Sequence, residues 1–227
     1  MWLMKRVFFL LMLVIGLSGA LQGQFQVKLG YGIQFHEREP NNIFRYFSTR
    51  YPYLNLGEKK YTNTQSVIIG VRSRGDYAAV GLNFGYGFWT LSGQGQNPDN
   101  GTDEWQKVAL IRAAPGLELE FIGGPIGIGA EGRYVTFTEK LRSSVTGTHI
   151  NRQHYGAVRP FASIYLPGSS NTELSLRLYY ELALGTVSLD YTESVLNPNR
   201  AGQFEQGAFD YRPSGFGLQL LFLNFGG

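Results

Sequence analysis

The sequence offers little for nucleophilic or acid–base chemistry. It has no cysteine, which excludes thiol nucleophiles, thiolate metal sites and disulfides. The candidate general bases are the histidines, His36, His149 and His154. Covalent catalysis needs a nucleophile within reach of such a base. On a strand, a serine two residues beyond a histidine would share its face. Asn151 stands at that position after His149, and His154 is followed by Tyr155 and Gly156. Ser143, Ser144 and Glu139 precede His149 without a spacing that pairs them with it. No cluster has metal-ligand spacing. Gly124 to Gly132 is rich in glycine, but the segment reads as a strand and no helix follows to hold phosphate. The sequence therefore predicts no catalytic residue, no metal and no cofactor.

A second set of charged residues is spaced with regularity. Lys28, Arg72, Glu118, Glu120, Glu131, Arg133, Arg177 and Glu181 all lie in segments of strict two-residue alternation, and all on the parity opposite to the large hydrophobes. Isolated charges inside a protein are costly, so a set of mixed sign on one face predicts cross-strand ion pairs, among them Arg133 with Glu118 or Glu120 across the hairpin Leu117–Arg133.

The elements that must carry these residues are strands. Phe25, Val27, Leu29, Tyr31, Ile33 and Phe35 alternate with Gln26, Lys28, Gly30, Gly32 and Gln34. The pattern recurs around Val67–Arg72, Val80–Phe88, Leu117–Phe121, Ile126–Tyr134, Leu174–Leu184 and Phe216–Phe222, with a weaker run at 155–166 that contains Pro160. Three connections, at 73–76, 122–125 and 167–171, are short and carry Gly, Pro or Asn. Four are long, at 37–64, 90–104, 138–152 and 185–210. The segment Gln94–Asp103 reads as a polar, mobile tip. This layout predicts an all-β fold: an eight-stranded antiparallel up-and-down transmembrane β-barrel with long extracellular loops and short periplasmic turns.

Alternation alone does not say which face is outside, because a soluble lipocalin-like barrel alternates too. Size decides. An eight-stranded barrel has an interior only wide enough for side chains. Inward Leu and Phe on every strand would overfill it, whereas the opposite parity is rich in glycine with occasional charges. The charged face is therefore inward and the apolar face meets lipid. Phe25, Phe35, Tyr77, Phe88, Trp89, Trp105, Phe121 and Phe216 fit two interfacial girdles.

Targeting agrees with this placement. Lys5 and Arg6 precede an apolar run from Val7 to Ile15, and Ser18 and Ala20 form a small-residue cleavage site. Residues 1–20 read as a cleaved signal peptide, with a boundary that extends to about 24, and 24–225 as the barrel. Without Lys5 and Arg6 the formal charge falls from +3 to +1, so the basic pI carries no message about nucleic acid.

The signal segment, the eight alternating runs and the short–long alternation of connections resemble the OmpA/OmpX-like, porin-like family of outer-membrane barrels over residues 24–225. The resemblance is architectural and implies fold and outer-membrane location more than activity. Chains of that family often end on an aromatic residue; here Phe225 is followed by Gly226 and Gly227. Some barrels of this size are lipid A deacylases or acyltransferases, but the histidine spacing above does not match them.

Function is accordingly expected from the lumen or the loops. The lumen is expected to be a salt-bridged plug, with a small-solute porin as the alternative and a lipid-modifying enzyme as a third reading. In the first long connection Arg45, Tyr46, Phe47, Arg50, Tyr51 and Tyr53 combine aromatic and basic residues. That composition suits recognition of an extracellular protein or glycan. The expected surroundings are outer-membrane lipid and lipopolysaccharide, and the expected state is a monomer.

Overall fold

The computed structural model describes residues 24–36, 52–55, 63–144, 147–168, 172–189 and 210–225. Its strands are β1 (Gln24–His36), β2 (Asn63–Arg74), β3 (Ala78–Gln96), β4 (Asp103–Gly123), β5 (Ile126–Ser143), β6 (Gly147–Pro167), β7 (Thr172–Ala183), β8 (Val187–Ser188), β9 (Asp210–Tyr211) and β10 (Gly215–Phe225). Eight of these form a closed antiparallel ring in the order β1-β10-β7-β6-β5-β4-β3-β2, and β8 and β9 make a separate two-stranded sheet. β1 and β10 close the ring in an unbroken register from Gln26↔Phe225 to His36↔Gly215. Residues 1–20, expected to form a signal peptide, lie outside the described residues.

Closure satisfies the backbone without water, which a lipid-embedded sheet requires. Three prolines sit in the ring; Pro167 ends β6, and the two interior ones, Pro160 and Pro115, each give up pairing on one side only. β6 pairs with β7 through Val158↔Leu182 and resumes at Phe161↔Tyr179, skipping Arg159 and Pro160. On its other side Pro160 stays in register with Ala130 of β5. Pro115 skips pairing with β5 between Ala113↔Thr136 and Gly116↔Arg133 but keeps Phe84 of β3 as partner. Proline in a wall strand is thus absorbed as a local gap.

The faces separate by polarity. Leu178 is 56 % exposed and Ile128 65 %, while Arg177 is 1 % and Glu120 0 % exposed. Outward residues of β1 run apolar from Phe25 to Phe35. Ten steps of ~3.4 Å at a tilt of ~40° climb about 26 Å, close to the hydrocarbon band of an outer-membrane barrel. A soluble barrel has the opposite arrangement. The protein is an outer-membrane β-barrel, with its short turns at the periplasmic end and its longer strands projecting from the other.

The upper ends differ from the expectation of long loops at 90–104 and 138–152. Most of those residues are strand: β3 and β4 continue to a turn at 97–102, while β5 runs on to Ser143 and β6 starts at Gly147. The 97–102 tip is also better fixed than a mobile segment. Asn97 N donates to the Thr102 carbonyl (2.8 Å), Asn97 Nδ2 donates to Glu104 Oε1 (2.7 Å), and Gly101 takes the left-handed conformation (φ 69°) that the turn demands.

These extensions were hidden because their polarity pattern inverts. Below, the inward parity is Gly, Asn and charge. Above, it becomes Leu91, Val108, Leu110, Val135, Phe137 and Leu141, all buried in one cluster with Leu54, Tyr155, Val187, Leu189 and Tyr211. The outward parity changes the other way, to Thr90, Ser92, Gln94, Lys107, Thr138, Lys140, Arg142 and Arg152. The inversion marks where lipid ends and water begins. It also corrects two girdle residues. Trp89 packs inward against the upper core, and Trp105 stands six residues beyond Ile111 on β4, about 20 Å further along the strand. The aromatics that do flank the band are Phe25, Tyr77, Phe121 and Phe222 below, and Phe35, Tyr86, Phe88, Tyr134 and Phe216 above.

Polarity inversion predicts position-dependent tolerance on the outward face. Leu178→Arg should destabilise the folded barrel by about 2–4 kcal/mol if Leu178 lies near the midplane. Gln94→Arg, on the water-facing extension, should change stability by less than about 0.5 kcal/mol. Urea titration in phosphatidylcholine vesicles measures both, and equal costs would place the lipid boundary elsewhere.

Candidate functional site

Among the described residues, the lumen gathers a dense set of paired charges, and small inward residues make room for it. The Arg133 guanidinium lies over Gly85, the Glu120 carboxylate over Gly127, and the Glu131 carboxylate over Gly116; a Cβ at any of these glycines would meet the charged group.

The charges sort into two tiers. In the tier nearer the periplasm, Glu118 of β4 accepts from Lys28 Nζ of β1, from Arg177 Nη1 of β7 (2.8 Å) and from Asn83 Nδ2 of β3 (2.8 Å). Glu120 pairs with Arg72 Nη1 (3.0 Å) and Arg177 Nη2 (3.4 Å). Arg72 also donates to Gln26 and to the Tyr165 hydroxyl (2.7 Å for the latter). Arg74 and Glu173 pair at the rim (2.5 Å). In the upper tier, Glu181 gathers three guanidinium groups: Arg112, Arg133 (3.1 Å) and Arg159 (2.6 Å). Glu131 lies 3.5 Å from Arg133 and 3.7 Å from Arg159. Gln34 links the tier to the wall, accepting from Arg112 (2.9 Å) and donating to the Pro213 carbonyl (3.2 Å).

Aromatic rings fill the remaining space. Arg177 lies 3.6 Å from the Phe161 ring centroid and Arg159 3.9 Å from that of Tyr179, close enough for cation–π attraction. Among the described residues, the void between Gln34, Thr64, Arg112, Arg133 and Arg159 measures about 20 Å³, room for roughly one water. Chemically, this arrangement ties seven strands together, β1 to β7, with paired side chains reaching across the bore at both tiers.

All eight charges singled out from the sequence face this lumen. The pairing expected for Arg133, with Glu118 or Glu120, is not the one formed: its partners are Glu181 and Glu131. Glu118 and Glu131 are instead direct cross-strand neighbours. Two carboxylates opposite one another repel; Asn83 Nδ2 lies between them, donating to both (2.8 and 3.2 Å). Sequence reasoning missed Arg112 and Arg159. Arg112 shares the parity of Glu118 and Glu120 but sits where the inner face turns apolar. Arg159 sits between inward Tyr155, Ala157, Phe161 and Tyr165, so both faces of β6 look apolar and the alternation is masked.

No family model matches the sequence, and no curated protein matches it. Several solved structures are similar in fold. Neisserial surface protein A aligns with a TM-score of 0.46 and 8% identity, over 89% of this chain and 97% of that one. Ail, the attachment invasion locus protein of Yersinia pestis, aligns with a TM-score of 0.44 and 9% identity, over 89% and 97%. The outer membrane protease OmpT from Escherichia coli aligns with a TM-score of 0.34 and 8% identity, over 89% and 93%. At such identities those proteins' activities do not transfer to this chain.

The histidines occupy three separate places. His36 Nε2 lies 2.7 Å from Thr64 Oγ1 inside the upper lumen. His154 faces outward, stacks on Tyr134 with centroids 5.5 Å apart and meets Thr136 Oγ1 at 3.1 Å. His149 lies near the β5–β6 tip, opposite Leu141. Among the described residues, no group of three or more His, Asp or Glu is arranged to hold a metal ion.

Of the candidate recognition residues, Arg45, Tyr46, Phe47, Arg50 and Tyr51 lie outside the described residues. Tyr53 is described, and it has a structural task. It sits in a short 3-10 turn (Pro52–Leu54), its hydroxyl donates to Glu104 Oε2 (2.7 Å), and it packs on the upper core where Leu54 is buried. The first connection is thereby pinned to the β3–β4 extension.

Glu181 is the most connected carboxylate, so Glu181→Gln should cost about 3–5 kcal/mol by leaving three buried guanidinium groups without their shared counter-charge. Glu104→Gln, at the half-exposed tip, should cost no more than about 1 kcal/mol. Equilibrium unfolding of the two variants in lipid compares them directly; similar losses would mean that the lumen is hydrated and screened.

Proposed function

We propose that the protein is a non-enzymatic, OmpA/OmpX-like surface barrel, exported by a cleaved signal peptide, monomeric, and closed to solutes. Its role is structural or lies in binding through the extracellular end. The observation that carries this is the filled lumen: two tiers of ion pairs, aromatic rings between them, and an apolar core above. A conducting pore needs a continuous wet path, and the gap between the upper-tier arginines has room for roughly one water.

Recognition is assigned to the extracellular end because the wall is taken up by lipid outside and by charge pairing inside. Tyr53 and Leu54 anchor the first connection there, and the aromatic and basic residues Arg45 to Tyr51 precede them directly in the sequence. Aromatic and arginine side chains give contact area and directed hydrogen bonds at low entropic cost. The small-solute porin reading is disfavoured by the same packing, and the lipid-modifying enzyme by the separation of the three histidines.

Purified protein in planar bilayers tests the closed lumen. We expect no steady single-channel conductance from the native chain. Removal of the upper plug in a combined Arg112→Ser, Arg133→Ser and Glu181→Ser variant should admit small ions if the barrel still folds. A stable conductance from the native chain would favour the porin.

A further inference from the structure

The outward face carries a basic cluster that neither the lumen nor the loops explain. Lys107 of β4 is in direct register with Arg142 of β5, and Lys140 lies one outward position below Arg142, beside Ala109. Like charges directly opposite one another on a sheet are destabilising unless an anion lies between them. Their other register partners are Ser92, Thr148 and Ile150, and Arg152 of β6 stands opposite Thr138 beside them. Among the described residues, none of these outward neighbours is acidic. The nearest outward carboxylate on β4, Asp103, is four residues further up, about 14 Å away.

What lies directly below is apolar. Tyr86, Phe88, Ala109 and Ile111 form the lower wall of a groove whose upper wall is Lys107, Lys140 and Arg142, with a volume of about 260 Å³. Tyr86 and Phe88 are more than 40 % exposed and belong to the upper girdle. The basic groups stand about four residues above Ile111, roughly 10 Å above the hydrocarbon edge at the usual strand tilt. Lysine and arginine side chains reach down over that distance along their own methylene stems. The groove therefore offers acyl-chain contact below and clustered positive charge above.

We propose that β3, β4 and β5 form a binding site for a phosphorylated glycolipid of the outer leaflet. Lys107, Lys140 and Arg142 hold the phosphates of a lipid A headgroup, and Tyr86, Phe88 and Ile111 pack against its acyl chains. A diphosphorylated headgroup supplies the missing counter-charge between Lys107 and Arg142. This rests on the lipid-embedded reading of the barrel and adds a defined site to it.

The test uses the full mature chain folded into phosphatidylcholine nanodiscs doped with diphosphoryl lipid A, with bound lipid counted by mass spectrometry after extraction into mild detergent. The native protein should retain lipid A. A Lys107→Gln, Lys140→Gln, Arg142→Gln variant should retain at least about tenfold less, while showing native heat-modifiable migration on gels. Lys140→Gln alone should fall between the two and serves if the triple variant does not fold. Lipid A stripped of both phosphates should be retained by the native protein no better than by the variant. Equal retention of diphosphoryl lipid A by native and substituted proteins would overturn the site, as would equal retention of the dephosphorylated lipid by the native chain. Failure of the native protein to enter undoped phosphatidylcholine discs would instead overturn the membrane reading itself.

Discussion

Ring size is the constraint on which the rest of this structure depends. Eight strands must close so that every backbone donor and acceptor finds a partner within the sheet. A ring of eight is narrow, and its bore must be filled by its own side chains. Inward residues are therefore either absent, as at Gly85, Gly116 and Gly127, or long and paired, as at Arg133, Glu131 and Glu120. The glycines and charges are two halves of one packing solution. Removing the side chain from one strand gives space to a guanidinium or carboxylate rooted on another. The charges then compensate each other largely in place of solvent, and Glu118 and Glu181 become the nodes on which cations from several strands converge.

Much of this was legible in the sequence, for a definite reason. Within the membrane, one parity must be apolar and the other must be small or charged, so Phe25–Phe35 or Leu174–Leu182 can be read by eye. The same logic found the eight lumen charges. It failed at Arg112 and Arg159, where inner neighbours such as Ala114, Ala157 and Phe161 are themselves apolar and the two faces cease to differ. It failed again in assigning Arg133 to Glu118 or Glu120. A local hairpin gives adjacency, but the long guanidinium reaches across the bore to Glu181 on β7, and such reach is not written in strand order.

The most instructive misreading concerned residues 90–104 and 138–152. Their alternation continues without a break, yet what it means reverses: Leu91, Leu110 and Phe137 point inward, and Lys107, Lys140 and Arg142 outward. The chain is a membrane protein in its lower part and follows soluble-protein rules in its upper part, with the same strands passing through both. Leu54 and Tyr53 belong to that upper part, closing it as a small hydrophobic core. Pairing register is fixed doubly as a result, since a one-residue slip would expose charge to lipid below and leucine to water above.

The upright hairpins also bear on how the barrel reaches its place. Entering from the periplasmic side, the tips of β3–β4 and β5–β6 must travel through the full thickness of the bilayer before the ring can close. They carry Glu104, Lys107, Glu139, Lys140, Arg142 and Arg152 with them. Each of these charges would be costly to pass through bare hydrocarbon. Unaided insertion should consequently be slow, and the favoured route is one in which the tips move through a water-lined seam that stays open until β1 meets β10.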